Sequence, residues 1–186
     1  MGIPGCDAST TPAVSSILVT PLLCIRPLCE QDLDVYRDLY CSAEAMEQIG
    51  PPLVPEVATA AFEAACRHNL RGVPGHRFWA VLSRAKQEPV GVAALRRSGE
   101  LCEFGLMLVP QARDRRHAPE AVAAIVDHAF SSLGVRRFRV ECLDNSMVRL
   151  VRRLVAPHGF HRAEASDGLV AWELHRDQWQ GVGVDG

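Results

Sequence analysis

The sequence predicts an α/β domain, and three observations support this fold class. Segments that alternate apolar and polar residues, as strands do, are interspersed with segments whose apolar residues recur every three or four positions, as in helices. The order of these elements along the chain is β–α–α–β–β–β–α–β–α–β–β. The length of 186 residues is enough for one domain with a sizeable core and short for two.

The first third of the chain is predicted to hold one strand and two helices. Residues 17–28 are apolar and end in Arg26 and Pro27, which suggests a strand. The next segment carries acidic residues early and apolar residues at helical spacing, as a helix start does. Residues 55–70 form a second helical segment, whose apolar face is expected to consist of small residues: Val57, Ala60, Ala61, Ala64 and Ala65.

Three antiparallel strands are predicted next. Residues 78–83 and 89–97 are strand-like and are joined by a short polar link, which is typical of a hairpin. A second short link leads into a strand at 101–109. Pro110 should end that strand, because proline cannot donate a hydrogen bond to a neighbouring strand.

A basic loop and a helix follow this strand, between Gln111 and Phe130. Pro119 suits a first helical turn, where the N–H groups have no intrahelical partner, and Gly134 suits the position just after the helix. One apolar helix face is expected: Ala118, Val122, Ile125, Ala129 and Leu133. Backbone N–H groups that point outward at the positive end of a helix can form a phosphate site, so this loop is a candidate for one. The alternative is a solvated basic loop.

The last third of the chain is predicted to contain a strand at 136–143, a helix at 146–155 and a hairpin that turns at 166–168. We expect a disordered leader at 1–16, one domain at 17–176 and a flexible tail at 177–186.

Composition and charge argue against several classes of protein. The net charge of −2 gives no electrostatic reason to expect DNA or other nucleic acid as a general partner. No segment approaches the roughly 18 apolar residues that a membrane span needs. Seven scattered cysteines contain no C-x-x-C pair, so we expect reduced thiols in a cytoplasmic protein.

A family pattern emerges around the basic loop. The residues that carry it are Glu103, Phe104, Gly105, Pro110, Arg113, Ala118, Glu120 and Ala121. This stretch resembles the acyl-CoA-binding core of the Gcn5-related N-acetyltransferases (the GNAT superfamily), in its RimJ/RimL-like branch. The opening of the domain is similar to that branch too, and the resemblance covers roughly residues 19–176.

The resemblance implies a GNAT fold, in which helices flank a single mixed central sheet. It implies transfer of an acetyl group from acetyl-CoA, or of another acyl group from its acyl-CoA, to a primary amine. The amine could belong to a protein N-terminus or to a small molecule, and the resemblance leaves room for a homodimer. It implies no metal cofactor.

The resemblance also implies where acyl-CoA binds. The strands at 101–109 and 136–143 splay apart, and backbone groups beside this V-shaped slot hold the pantetheine arm. One strand N–H near Leu108 or Val109 would polarise the thioester carbonyl. The implied cofactor-binding residues are Leu108, Val109, Arg113, Asp114, Arg115, Arg116, His117, Ala118 and Asn145.

Glu103 and Asn145 are the candidate catalytic residues. An amine must be neutral to attack a thioester, so a carboxylate or a water that it orients has to take a proton, and Glu103 fits this role. The alternative is that Glu103 is a surface carboxylate or an ion-pair partner of Arg96 or Arg97. Asn145 is expected either to cap the helix that follows it or to turn the chain into it, and it matches an asparagine of the family.

The sequence offers few candidates for a general acid or a metal ligand. No tyrosine follows Tyr40, and Cys142 and His158 are each expected to be structural. His117, His158 and His161 have no cysteine or acid at ligand spacing, so we predict no metal site.

Three positions depart from the branch pattern. Asp114 and Arg116 stand where the branch has glycine, which lets the backbone approach a pyrophosphate, and Val148 stands where it has serine. These departures leave open a GNAT-fold protein that has lost catalysis and serves as a binding or regulatory module. They also leave open a relative whose basic loop binds another phosphorylated ligand.

Overall fold

The protein folds around one eight-stranded sheet in the computed structural model, which describes residues 17–71, 76–113 and 116–181. The strands are Leu18–Val19 (β1), Leu23–Pro27 (β2), Arg77–Ser83 (β3), Pro89–Ser98 (β4), Leu101–Leu108 (β5), Arg137–Leu143 (β6), His161–Ala163 (β7) and Leu169–His175 (β8). The α-helices are Leu33–Tyr40 (α1), Ala43–Met46 (α2), Pro55–Arg71 (α3), His117–Ser132 (α4) and Met147–Val155 (α5).

The strands lie in the order β1-β2-β3-β4-β5-β6-β8-β7. Pairing is antiparallel throughout, apart from β5 and β6, which are parallel. A parallel pair needs a crossover connection, and α4 supplies it. The predicted fold class, α/β with a single mixed sheet flanked by helices, is confirmed.

The two faces of the sheet carry separate apolar clusters. Phe104 and Leu108 of β5 belong to the cluster under α4 and α5, whereas Met107 belongs to the cluster under α1 and α3. Side chains alternate along a strand, so these clusters cover opposite faces. We call the face of the sheet under α4 and α5 the α4 face, and the opposite face the α1/α3 face.

The segment predicted as one strand at 17–28 forms two strands. β1 and β2 pair antiparallel, with Leu18 opposite Ile25. Pro21 lies in the turn between them, and the N–H of Thr20 donates to the carbonyl oxygen of Leu23 at 2.9 Å. A proline between two short apolar runs favours such a turn over a continuous strand.

The helices of the first third also differ from the prediction. Between α1 and α2 the chain breaks at Ser42, whose hydroxyl accepts from the N–H of Ala45 at 3.2 Å and so caps α2. The apolar face predicted for α3 is correct only in part. Ala65 is buried and Ala61 packs against the cluster on the α1/α3 face, as predicted, but Val57 is 51% exposed. The buried residues are Ala58, Phe62 and Ala65.

Helix α4 follows the sequence pattern closely. Pro119 lies in its first turn, and Gly134 follows its last residues with a φ of +64°. On its inner face Val122, Ile125 and Ala129 are fully buried. The packing of this face therefore holds α4 against the sheet.

The packed part of the chain extends beyond the predicted boundary at residue 176. Trp179 donates from Nε1 to Asp127 Oδ1 of α4 at 3.1 Å, and its ring lies 6.4 Å from that of Phe130. The predicted flexible tail therefore starts too early at 177. The predicted leader at 1–16 lies outside the described residues. None of the helices in the described part of the chain is long and apolar enough to cross a membrane.

Candidate functional site

The sheet opens between β5 and β6. These strands pair from Leu101 opposite Arg137 to Phe104 opposite Val140, and the register ends there. Beyond that point β5 continues to Leu108 on the side of β4, and β6 continues to Leu143 on the side of β8. The two strand ends therefore form the sides of a slot, which we call the β5–β6 slot.

The backbone of β5 presents alternate residues to the slot. The N–H of Val109 donates to the carbonyl oxygen of Val90 at 2.9 Å, so Val109 points toward β4. Backbone groups alternate in direction along a strand, so Leu106 and Leu108 point toward β6. The carbonyl oxygen of Val109 accepts from Ala112 at 2.9 Å. The N–H of Val109 is thus already bonded within the sheet, and the expectation that it serves a thioester is not supported.

The same reasoning applies to β6. The N–H of Asp144 donates to Gly168 at 2.9 Å and that of Arg176 donates to Arg136 at 3.0 Å, which fixes the residues of β6 that face β8. By alternation, the backbone groups of Glu141 and Leu143 face β5 and the slot. A backbone group in a sheet interior needs a partner, and here a ligand in the slot can supply it.

The loop after β5 lies at the open end of the slot. It begins with a single 3-10 turn at Pro110–Ala112, after which Arg113 donates from Nε to the carbonyl oxygen of Leu108 at 3.0 Å. Asp114 and Arg115 lie outside the described residues. Arg116 precedes the first residue of α4.

The first turn of α4 is tied to the β1–β2 turn. The carboxylate of Glu120 accepts through Oε1 from the N–H of Leu22 at 2.6 Å and from the hydroxyl of Thr20. His117 and Ala118 open the helix, and Pro119 has no N–H. The positive end of α4 therefore faces the loop at a fixed position, as the phosphate-site hypothesis requires.

Glu103 lies on β5 between Arg96 of β4 and Arg139 of β6 in the strand register. Its side chain is exposed and lies on the α1/α3 face, two residues before the slot opens at Gly105. Arg97 donates from Nε to the carbonyl oxygen of Gly99 at 2.7 Å. An ion pair of Glu103 with Arg96 or Arg97 does not form among the described residues.

Arg139 organises a charged cluster beside Glu103. It donates from Nε to Glu141 Oε1 at 2.6 Å, from Nη1 to Glu173 Oε1 at 2.5 Å and from Nη2 to the carbonyl oxygen of Glu164 at 2.6 Å. Burial on its own would lower the pKa of Arg139, but the hydrogen bonds to Glu173 and Glu141 outweigh it and raise that pKa above its ordinary value. The guanidinium is thus held charged and fixed in place.

Asn145 lies at the end of β6, where it shapes the turn into α5. Its Oδ1 accepts from the N–H of Met147 at 2.8 Å, a local bond that shapes the turn, while the N-cap residue of α5 is Ser146. The neighbouring Ser146 donates from Oγ to Gln48 Oε1 at 3.0 Å. This contact joins the turn after β6 to the segment after α2.

A match to a protein-family model identifies the family of this chain. The model described as "Acetyltransferase (GNAT) domain" matches residues 23–161, about three quarters of the chain. The chain belongs to the GNAT acetyltransferase family. No curated protein matches the chain.

Solved structures of other GNAT proteins have the same fold. The acetyltransferase from Agrobacterium tumefaciens str. C58 is 22% identical, with a TM-score of 0.74 over 94% of this chain and 99% of that one. RimJ from Mycobacterium smegmatis in complex with CoA-disulfide is 13% identical, with a TM-score of 0.70 over 91% of each chain. Spermidine N-acetyltransferase from Vibrio cholerae in complex with CoA and spermine is 15% identical, with a TM-score of 0.70 over 84% of this chain and 96% of that one.

Two tyrosines of this GNAT domain lie on the same face as Glu103. The rings of Tyr36 and Tyr40 on α1 stack with centroids 4.4 Å apart. Burial raises the pKa of both phenols, and the positive charge of Arg96 opposes this rise. The sequence analysis sought an acid only after Tyr40 and so passed over this pair, which precedes the slot by more than 60 residues.

Cys142 and His158 are the two proton-transfer candidates considered from sequence. Cys142 packs with the cluster on the α4 face, away from Glu103, and burial raises the pKa of its thiol. His158 is half-buried, and burial lowers its pKa. Within residues 17–71, 76–113 and 116–181, no group of three or more His, Cys, Asp or Glu side chains could hold a metal ion.

The cluster of Arg139, Glu141 and Glu173 was not predicted from the sequence, which indicates only a strand at 136–143. Glu173 has a side chain only 11% exposed, although it lies in the apolar run LVAWELH. A carboxylate within such a run must find a partner when it is buried, and this was the available signal.

Proposed function

We propose that this GNAT domain is an acyl-CoA-dependent N-acyltransferase that moves an acetyl group from acetyl-CoA to a primary amine by direct attack. The observation that carries the proposal is the β5–β6 slot, where pairing stops after Phe104 and Val140. Leu106 and Leu108 direct backbone groups into it from one side, and Glu141 does so from the other.

These groups fit a pantetheine arm, because its amides can form hydrogen bonds with exposed strand backbone as another strand would. At the open end of the slot, the start of α4 at His117 and Ala118 provides N–H groups and a positive helix end for the pyrophosphate. Arg113 and Arg116, with Asp114 and Arg115 between them in sequence, complete the proposed cofactor-binding loop.

Acetyl-CoA supplies a thioester whose carbonyl carbon forms the new C–N bond and whose C–S bond breaks. The Glu103 carboxylate takes the proton that the amine loses, directly or through one water. The N–H of Leu108 or Leu106 donates to the thioester carbonyl oxygen as negative charge develops there. The Oδ1 of Asn145 accepts from the N–H of Met147, so we assign its amide N–H to a hydrogen bond with the sulfur of the leaving CoA thiolate, which then takes a proton from water.

The acceptor is proposed to be a protein N-terminus, as the RimJ/RimL resemblance implies, or a small-molecule amine. Two of the solved structures support these two classes of acceptor: one is RimJ from Mycobacterium smegmatis and the other is spermidine N-acetyltransferase from Vibrio cholerae. We further propose a cytoplasmic location.

Calorimetric titration with acetyl-CoA tests the cofactor site first. The unaltered chain, Arg116→Gly and the control Arg136→Gly, which changes an exposed loop arginine, would be compared. Micromolar binding by the unaltered chain and by the control supports the proposal, and amine acceptors would then be screened through the release of free thiol.

A second candidate function is a GNAT-fold binding or regulatory module without catalysis. It is favoured by Asp114 and Arg116 at the positions where the branch has glycine. Binding of acetyl-CoA by Arg116→Gly, with none by the unaltered chain, would establish this candidate and overturn the enzyme proposal.

A further inference from the structure

We propose that Glu141 binds the ammonium group of the acceptor and selects amines that have no neighbouring carboxylate. This inference rests on the proposed function and specifies its substrate class. Peptide N-termini and polyamines belong to that class, whereas free α-amino acids do not.

The first argument is the position of Glu141. It is the first residue of β6 beyond the paired region, so continuing the register places it opposite Gly105. Its ion pair with Arg139 shows that its side chain lies on the same face as Arg139 and Glu103. A Cβ atom built on Gly105 would meet nothing within 4 Å, so the space between these strands on this face is open.

The second argument is the way in which the carboxylate is held. Both Nε and Nη2 of Arg139 contact Glu141 through Oε1, at 2.6 and 2.5 Å. Among the described residues, Oε2 of Glu141 receives no hydrogen bond. The side chain is 29% exposed, so this second oxygen can accept from a ligand. A carboxylate fixed through one oxygen loses little freedom when the other oxygen binds an ammonium.

The third argument concerns what an incoming ligand would meet. All three nitrogens of Arg139 already have carboxylate or carbonyl partners in Glu141, Glu173 and Glu164. The guanidinium is therefore poorly placed to receive a ligand carboxylate. The open carboxylates beside Gly105 are those of Glu141 and Glu103, which attract an ammonium and repel a carboxylate next to it. The exposed Arg96 on this face lies opposite Glu103, two residues further from the slot than the residue opposite Gly105.

Glu141→Gln tests this assignment, because glutamine keeps the length and the oxygen that Arg139 contacts while it removes the charge. Glu164→Gln is the matched control, since only the backbone carbonyl of Glu164 contacts Arg139. The probes are alaninamide, spermidine and free alanine. Each would be titrated into each variant in the presence of CoA, and initial transfer rates from acetyl-CoA would be measured in parallel.

We expect the unaltered chain and Glu164→Gln to bind alaninamide or spermidine at least about tenfold more tightly than alanine. In Glu141→Gln this preference should fall to about twofold or less, and the KM of the amine should rise about tenfold or more while kcat changes little. The affinity for acetyl-CoA and the thermal midpoint should be unchanged.

Three results would overturn the assignment: an unchanged preference in Glu141→Gln, equal binding of alanine and alaninamide by the unaltered chain, or no binding of any probe. If the chain binds amines but transfers no acetyl group to them, the proposed transferase activity is wrong. The binding data would then still decide whether Glu141 binds the ammonium group.

Discussion

Arg113 reaches back from the loop after β5 and donates from Nε to the carbonyl oxygen of Leu108 at 3.0 Å. Leu108 is the last residue of β5, and its backbone faces the slot. One guanidinium therefore connects the rim of the slot to the loop that leads to α4. This hydrogen bond therefore links the loop that we assign to the pyrophosphate with the strand that we assign to the pantetheine arm.

Removal of this guanidinium should weaken cofactor binding more than it affects folding. Arg113 is exposed, so we expect Arg113→Ala to change the free energy of unfolding by less than about 1 kcal/mol. The Kd for acetyl-CoA should rise about tenfold, as measured by calorimetry. The control is Arg97→Ala, which removes a similar bond from Nε to a backbone carbonyl, that of Gly99, at the β4–β5 turn. Equal affinities in both variants would count against a role for Arg113 in the cofactor site.

Loss of the Glu103 carboxylate should slow transfer without affecting the cofactor. We expect Glu103→Gln to lower kcat about 10²- to 10⁴-fold, because a positioned proton acceptor contributes an effect of this size. The Kd for acetyl-CoA should stay within about twofold, since Glu103 lies on the paired part of β5. Glu100→Gln removes an exposed carboxylate two residues after Ser98 and serves as the control. A full rate in Glu103→Gln would assign the proton transfer to another group.

Replacement by alanine should destabilise the protein at Gly91 but not at Gly105. A Cβ on Gly91 would come too close to the carbonyl oxygen of Met107 and to Leu108 Cδ2, so β5 would have to shift at the slot. We expect Gly91→Ala to lower the free energy of unfolding by about 1–3 kcal/mol, measured by urea denaturation. A Cβ on Gly105 meets nothing within 4 Å.

Gly105→Ala should therefore leave stability within about 0.5 kcal/mol while its methyl group narrows the space beside Glu141. We expect kcat/KM for the amine to fall and the affinity for acetyl-CoA to remain. Equal destabilisation by both alanines would show that the open space at Gly105 is closed in solution.

His128 should make the protein less stable in acid. Burial against the sheet lowers its pKa below the ordinary 6.5, and so does the charge of Arg77, while Asp127 acts in the opposite direction. The unfolded chain thus binds a proton before the folded one as the pH falls. The stabilisation from neutral His128 is present above pH 6.5 and is lost as the pH falls through the lower, folded-state pKa.

Urea denaturation at pH 7.5 and pH 5 would measure this effect. We expect the unfolding free energy of His128→Gln to fall less between these two values than that of the unaltered chain. Burial also lowers the pKa of His158. The unfolding free energy of His158→Gln should therefore also fall less between pH 7.5 and pH 5 than that of the unaltered chain. Identical declines in all three proteins would exclude these two histidines as its source.

The elements that the sequence predicted well are those that a local pattern determines. Helix α4 follows from the spacing of Val122, Ile125 and Ala129 together with Pro119 and Gly134. The face of α3 could not be chosen in this way, because alanine occurs on several sides of that helix. Phe62 is the large buried residue of α3 and determines which side faces the sheet, and Ala58 and Ala65 are buried on the same side.

The slot was expected from a resemblance, but the groups that line it depend on strand register. Register decides that the N–H of Val109 bonds to Val90 and that Leu106 faces the slot instead. The ion pairs of Arg139 with Glu141 and Glu173 join positions up to 34 residues apart. No spacing within one segment indicates such a contact, so the side chains around Gly105 emerged only from the folded chain.

The position of β8 between β6 and β7 has a consequence for synthesis of the protein on the ribosome. From β1 to β5 each strand lies beside the strand made just before it, so this part of the sheet can form as the chain emerges. β6 forms only four residue pairs with β5, and its antiparallel partner β8 follows both β6 and β7 in the chain. A nascent chain that ends before Leu169 would have β1 to β5 and the cofactor loop, but its Arg139 would lack Glu173. We therefore expect it to bind acyl-CoA weakly and to acquire its acceptor site only after β8 has been made.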